Sequence, residues 1–356
     1  MLVNTVSQNT LRAIRFEQPD YIPIVFWINP ACWHHYQPEL LFALMAEHRI
    51  LFGEFNQKNE ELPEALPEIA PWERAGVPYT DAWGCVWETT DDGITGTVTE
   101  HPLADWSALE SFTPPDPTET NGMTEIDWSS IKSVVSKSKS QGKSYAGSLE
   151  HGHTFQRLSY LRGYENLLLD MADRQPKLWR LIEMVETFNI GIVQRYLDAG
   201  AEMMCYPEDL GMQRGPLLSP EHFRNFIKPI YEHLMAPVHK AGCLVHMHSD
   251  GDIRNLADEI VLSGVDVLNL QDLVNGVDWI AENLKGKVCI DLDIDRQQIT
   301  PFGSPKQIDT LIREEVEKLG SREGGLMLLY GLYPGVPLEN VKAIMDAMER
   351  YSSFYT

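Results

Sequence analysis

Short apolar runs recur along the chain, each closed by a polar or charged cluster and followed by a stretch of helical length. The runs are "YIPIVFWI" (21–28), "SYAGSLE" (144–150), "AEMMCYPED" (201–209), "CLVHMHSD" (243–250), "VDVLNLQD" (265–272), "KVCIDLD" (287–293) and "GGLMLLYG" (324–331). Their near-continuous apolar character predicts strands buried on both faces. Between them lie amphipathic stretches such as "NLLLDMADRQPKLWRLIEMVETFNIGIVQRYLDAG" (166–200). Ser219 before Pro220, and Ser304 before Pro305 with Gln307 in capping-box spacing, mark helix starts. Gly200 and Gly242 stand where helices should stop. Strand–helix alternation of this kind predicts a parallel sheet covered by helices. Seven strands, with "GCVWE" (84–88) as an eighth, favour a single (β/α)8 TIM barrel over residues 1–356, with an N-terminal extension and an insertion or irregular segment at about 89–143. A doubly wound sheet is the competing architecture, but no GxGxxG or GxxxxGK[ST] follows any strand. "TPPDPTETNGMT" (113–124) reads as loop, "SSIKSVVSKSKSQGKS" as polar with weak helical spacing, and residues 113–143 receive no structural assignment.

Composition narrows the function. The formal net charge of -23 opposes binding to nucleic acid or an anionic membrane. Five scattered cysteines (Cys32, Cys85, Cys205, Cys243, Cys289) without a CxxC pair argue for a reducing compartment. The N-terminus lacks the apolar core of a signal peptide, and no apolar run reaches the ~18 residues of a membrane span. A cytoplasmic protein is the expectation.

A parallel barrel carries its chemistry at the carboxyl ends of its strands. Those ends bear Glu150, His151 and His153; Cys205, Glu208 and Asp209; His246, His248 and Asp250; Gln271 and Asp272; Asp291, Asp293 and Asp295; and Tyr330 and Tyr333. In "LVHMHSDGDIRN" (244–255), alternation puts His246 and His248 on one face, with His248 nearer the mouth. A strand-end imidazole there suits a metal ligand or an acid/base group. Asp250 is either a third member of that site or a cap of the next helix, and Asp252 is more simply a cap. His246, one layer deeper, suits a hydrogen-bonded core position. His151 and His153 either converge on a metal or belong to a solvated loop. Trp27, Trp33, His34, His35 and Tyr36 either line an apolar pocket or pack over the barrel end.

Several segments together resemble the uroporphyrinogen decarboxylase superfamily, which includes cobalamin-dependent methyltransferases. They are "RAIRFEQPDYIPI", "DAWGCVWETTDDGITGTVTEHPLADWSALESFTPPDP", "YPEDLGMQRGPLLSPEHFRNFIKPIYEHL", "HSDGDI", "PFGSP" and "GVPLENVKAI", in the family's order. The resemblance implies a (β/α)8 barrel. It aligns Asp81, in "YTD", with the decarboxylases' catalytic aspartate. Where those enzymes carry an arginine-bearing motif for a polycarboxylate, this chain reads "NPACWHHY", without Arg or Lys, which disfavours that substrate. The methyltransferase branch holds zinc with an HxC pair and a later cysteine. Here the pair reads His248-Ser249-Asp250 and the last strand "LLYGLYPG", so both thiolates are missing.

These departures lead to one expectation: methyl transfer from a small methoxy-aromatic or methylamine to the cobalamin of a partner corrinoid protein, since the chain has no DxHxxG motif. His248, Asp81 and Asp250 are the candidate catalytic residues. His248, Glu208, Asp250 and Asp272 are candidate zinc ligands, a harder donor set that suits ethers and amines better than thiols. Trp27, His34, His35, Glu150, His153, Tyr206, Asp293 and Tyr333 are candidate substrate contacts. The alternatives are a decarboxylase of a smaller carboxylate using Asp81 and His248, and a non-catalytic ligand-binding barrel. The family's barrels often pair, which leaves a homodimer open.

Overall fold

The computed structural model describes residues 5–53 and 66–355. Its main sheet contains β1 (Thr5–Val6), β2 (Ile24–Ile28), β3 (Ser144–Ser148), β4 (Met203–Pro207), β5 (Leu244–Ser249), β6 (Val267–Gln271), β7 (Cys289–Asp293) and β8 (Leu326–Leu332). In space the order is β1-β3-β4-β5-β6-β7-β8-β2. Every ladder from β3 round to β2 is parallel, and β1 alone runs antiparallel, against β3. The result is a TIM-barrel-type α/β fold in which a two-residue N-terminal strand takes the eighth place. The doubtful "GCVWE" strand lies elsewhere. Val86–Glu88 joins Tyr79–Thr80 and Thr97–Glu100 in a separate antiparallel sheet. Asp81 makes the bend between its first two strands, accepting the Trp83 and Cys85 N–H groups at 3.0 and 2.9 Å.

Alternation along the strands sorts the side chains. Met204, Tyr206, Val245, Met247, Leu268, Leu270, Ile290, Leu292, Leu328 and Tyr330 face outward into the core shared with the helices. Inside the barrel, Ala146, Met203, Cys205, Val267, Cys289 and Met327 form a separate apolar cluster, closed from below by Val6, Leu11 and Ile14 of the N-terminal segment. Among the described residues, this plug fills the amino end of the barrel interior, opposite the carboxyl ends of the strands.

The helix punctuation follows its local chemistry. Ser219 Oγ accepts the His222 N–H at 3.1 Å, and Ser304 with Gln307 forms the capping box. The long amphipathic stretch is two helices, Tyr164–Ala172 and Pro176–Ala199, parted where Pro176 sets a new first turn. The second stops at Gly200, whose left-handed φ of 93° glycine adopts without strain. The unassigned polar segment contains the helix Trp128–Ser140, capped by Asp127. Only Val135 and Ser138 of that helix are buried, which explains its weak apolar period.

Candidate active site at the barrel mouth

On β5, His246 and His248 face inward, and His248 stands opposite Asn269 of β6. Asn269 Nδ2 donates to the Asp291 carbonyl at 2.7 Å, so Oδ1 is the atom turned to His248 Nδ1, with which it forms a short hydrogen bond. The other ring nitrogen, Nε2, lies 3.6 Å from Asp209 Oδ1 and 3.7 Å from Asp250 Oδ1. His151 Nε2 lies 3.4 Å from the same Asp209 oxygen. Among the described residues, His151, Asp209 and His248 are a group whose ligand atoms all fall within 4.8 Å of one another.

Close backbone approach brings these groups together. The loops after β4 and β5 are laced by Gly211 N–H to the Asp250 carbonyl (3.1 Å) and Asp252 N–H to the Met212 carbonyl (2.7 Å). A Cβ on Gly251, whose φ is 82°, would lie 2.2 Å from the Gly211 carbonyl carbon. Glycine at this crossing therefore allows Asp209 to reach the Asp250 N–H (3.1 Å) and both imidazoles.

Electrostatics reflect the crowding. Burial opposes a charge on His248, but Asp209 and Asp250 outweigh it and push its pKa up to about 9, with Asn269 contributing. Burial also opposes the Asp209 carboxylate, yet His151 and His248 hold it well below the usual carboxylate range. Across the mouth, Arg296 Nη2 contacts Asp293 Oδ2 at 2.6 Å and Asp250 Oδ1 at 3.3 Å. Burial raises Asp293 to about 7 against the pull of Arg296. The guanidinium lies 5.5 Å from the Tyr333 ring centre, and Tyr333 packs edge-on to Trp27 at 5.6 Å. Val25, Trp27, Leu329 and Tyr333 are only partly buried although they line the inside of the sheet. Solvent thus reaches an apolar wall facing the imidazole–carboxylate wall. Glu150 accepts from Asn121 Nδ2 at 2.9 Å; burial raises its pKa, while Arg157 and His151 oppose the rise.

Other sequence candidates lie apart from this group. Glu208 is fully buried and accepts the Thr154 and Gln156 N–H groups (2.8 and 2.9 Å) and the Tyr231 hydroxyl, capping the helix Phe155–Arg162 instead of meeting a metal. His153 is buried behind it, between the Tyr206 and Tyr231 rings, and burial lowers its pKa to about 3. Tyr206 faces outward and donates to the Leu234 carbonyl at 2.9 Å, away from any substrate. His34 and His35 are exposed, with His34 against the Pro67 carbonyl and His35 against Tyr36. Asp81 is sealed in an ion pair with Arg157 at 2.6 Å, both side chains almost wholly buried. The four expected metal ligands therefore do not converge. His248 keeps its place, Asp250 is shared with Arg296, and His151 and Asp209 replace Glu208 and Asp272 beside the imidazole.

Asp272 has another function in the fold. It accepts the Asp295 N–H at 2.8 Å and meets the fully buried Glu315. Burial, then the charge of Asp272, pushes Glu315 well above the usual carboxyl range. A raised folded-state pKa contributes stability below about pH 4.3 that is lost as pH rises through the folded value. Glu315→Gln is therefore expected to raise the melting temperature at pH 8 by several degrees and at pH 4 by much less, as read by thermal denaturation.

Sequence reasoning missed Asn269 and Arg296. Asn269 had a signal, a polar residue in inward register inside an apolar strand. Arg296 lies in a loop and had none.

A family profile described as Uroporphyrinogen decarboxylase (URO-D) matches residues 79–351. The chain belongs to the uroporphyrinogen decarboxylase family. Curated relatives include uroporphyrinogen decarboxylase 2, chloroplastic, of Arabidopsis thaliana, 26% identical over 184 residues, covering 50% of this chain and 44% of the relative. Another is the uroporphyrinogen decarboxylase of Thermus thermophilus, 26% identical over 186 residues, 50% of each chain. The chain thus spans about half the length of the curated relatives it matches. Among solved structures, a methyltransferase from Methanosarcina mazei superposes over 98% of this chain and 99% of its own, with a TM-score of 0.62 at 18% identity, which shows a shared fold. Among the described residues no helix is long and apolar enough to cross a membrane.

Proposed function

We propose that this protein is a corrinoid-dependent methyltransferase that takes a methyl group from a small O- or N-methylated compound and delivers it to the cobalamin of a partner protein. The observation that carries this reading is the His151–Asp209–His248 cluster. Ligand atoms about 2.0–2.1 Å from one tetrahedral centre stand roughly 3.3 Å apart. The separations of 3.4 and 3.6 Å about Asp209 Oδ1 are close to that spacing. A nitrogen-and-oxygen donor set fits zinc and lacks the thiolates that favour thiol substrates. Zinc held there would supply a Lewis acid to the leaving oxygen or nitrogen.

The chain's own residues account for the rest. Trp27, Tyr333, Val25 and Leu329 take the donor's apolar body. Arg296, fixed by Asp293 and Asp250, presents its guanidinium to the same space. The test is metal analysis combined with methyl transfer to free cob(I)alamin, followed by absorbance over a panel of methoxy-aromatics and methylamines. One zinc per chain and turnover of at least one donor are expected. No turnover of any donor by zinc-supplemented protein would overturn the proposal.

A further inference from the structure

We infer that Asn269 is a positioning residue that, backed by β7, decides which nitrogen of His248 works at the mouth; its functional meaning rests on the methyltransferase reading. An imidazole can offer either ring nitrogen, and the hydrogen bond made by one determines the role of the other. Here the choice is traceable atom by atom. β6 and β7 are paired with Asn269 opposite Asp291, and Asn269 Nδ2 donates to the Asp291 carbonyl at 2.7 Å. A carbonyl only accepts, so this contact fixes the amide orientation and leaves Oδ1 toward His248. Oδ1 also only accepts, so Nδ1 of His248 must carry a hydrogen. Nε2 is then the atom left for Asp209, Asp250 and a ligand at the mouth.

The support is rigid. Asn269 is 2% exposed and Asp291 3%. Asp291 Oδ2 is anchored at 2.9 Å by His246 Nε2, one layer below His248 on the same strand. A hydrophobic residue at 269 would fill the space but accept nothing, freeing the ring to turn and opening its Nδ1 hydrogen to exchange.

The experiment is 1H–15N NMR of the imidazole groups in full-length, metal-free protein, with the His248 signal assigned by its loss in His248→Gln. The wild type should show a slowly exchanging Nδ1–H. Asn269→Leu should lose it, and Asn269→Asp, which keeps an acceptor, should restore it. In parallel, zinc affinity measured by chelator competition should fall roughly 10–100-fold in Asn269→Leu, the range for removing such a support, and recover at least in part in Asn269→Asp. Should Asn269→Leu be misfolded by circular dichroism, the wild-type and Asn269→Asp spectra still decide the matter. A wild-type His248 without a protected Nδ1–H, or Asn269→Leu with that signal unchanged, overturns the inference. Failure of the wild type to bind zinc or transfer methyl groups overturns the proposed function and leaves this NMR result standing.

Discussion

His248→Ala is expected to abolish tight zinc binding and to lower methyl transfer by on the order of 10³-fold or more, the equivalent of about 4 kcal/mol. The imidazole is the only one of the three grouped side chains that grows from a strand, and Asn269 holds it from behind. Its loss leaves His151 and Asp209 on loops, with one nitrogen and one carboxylate. The pH dependence provides an independent check. A histidine ligates as the neutral ring. With the metal-free His248 pKa raised to about 9, zinc must displace a proton throughout the neutral range. Apparent affinity should therefore climb about tenfold per pH unit from pH 7 toward 9 and then level off, while the proton is released to the buffer. Calorimetry in two buffers of different ionisation enthalpy measures that release. In His248→Ala any residual binding should lose this slope. An unchanged slope would place the metal elsewhere.

The barrel was legible in the chain because most of its parallel strands are buried on both faces and read as apolar runs, separated by helices with marked ends. β1 was not legible, because two residues, Thr5 and Val6, carry no period. Val86–Glu88 carries a strand's composition, and nothing local distinguishes a small antiparallel sheet from a barrel strand. At the site, His248 was readable from alternation and its position at the strand end. The choice between Glu208 and Asp209 was not. They are neighbours past the end of β4, and only the fold sends Glu208 back to cap a helix and Asp209 forward to two imidazoles. The meeting of Asp209 with His248 and the Asp250 N–H depends on the Gly211–Gly251 crossing, a tertiary contact that no local pattern encodes.

Asp81→Asn is expected to act on folding instead of chemistry. Both carboxylate oxygens are already engaged: Oδ1 accepts the Trp83 and Cys85 N–H groups, and Oδ2 accepts Trp87 Nε1 at 3.0 Å and Arg157 Nη1 at 2.6 Å. The Arg157 guanidinium also sits 5.7 Å from the Trp83 ring centre and 5.5 Å from that of Tyr160, in a space with almost no solvent. Neutralising Asp81 leaves that cation buried and unpaired, a change that costs about 3–5 kcal/mol, whereas removing both charges together costs far less. Asp81→Asn should lower the melting temperature by roughly 4–7 °C. The double variant Asp81→Asn/Arg157→Met should recover much of that loss, a non-additivity that reports the pair itself. Turnover per folded molecule, measured well below the melting temperature, should stay within a few fold of wild type, because the carboxylate has no lone pair turned to the mouth. The decarboxylase alternative, in which Asp81 takes part in the reaction, requires the reverse: turnover collapsing in a protein whose melting temperature has not moved.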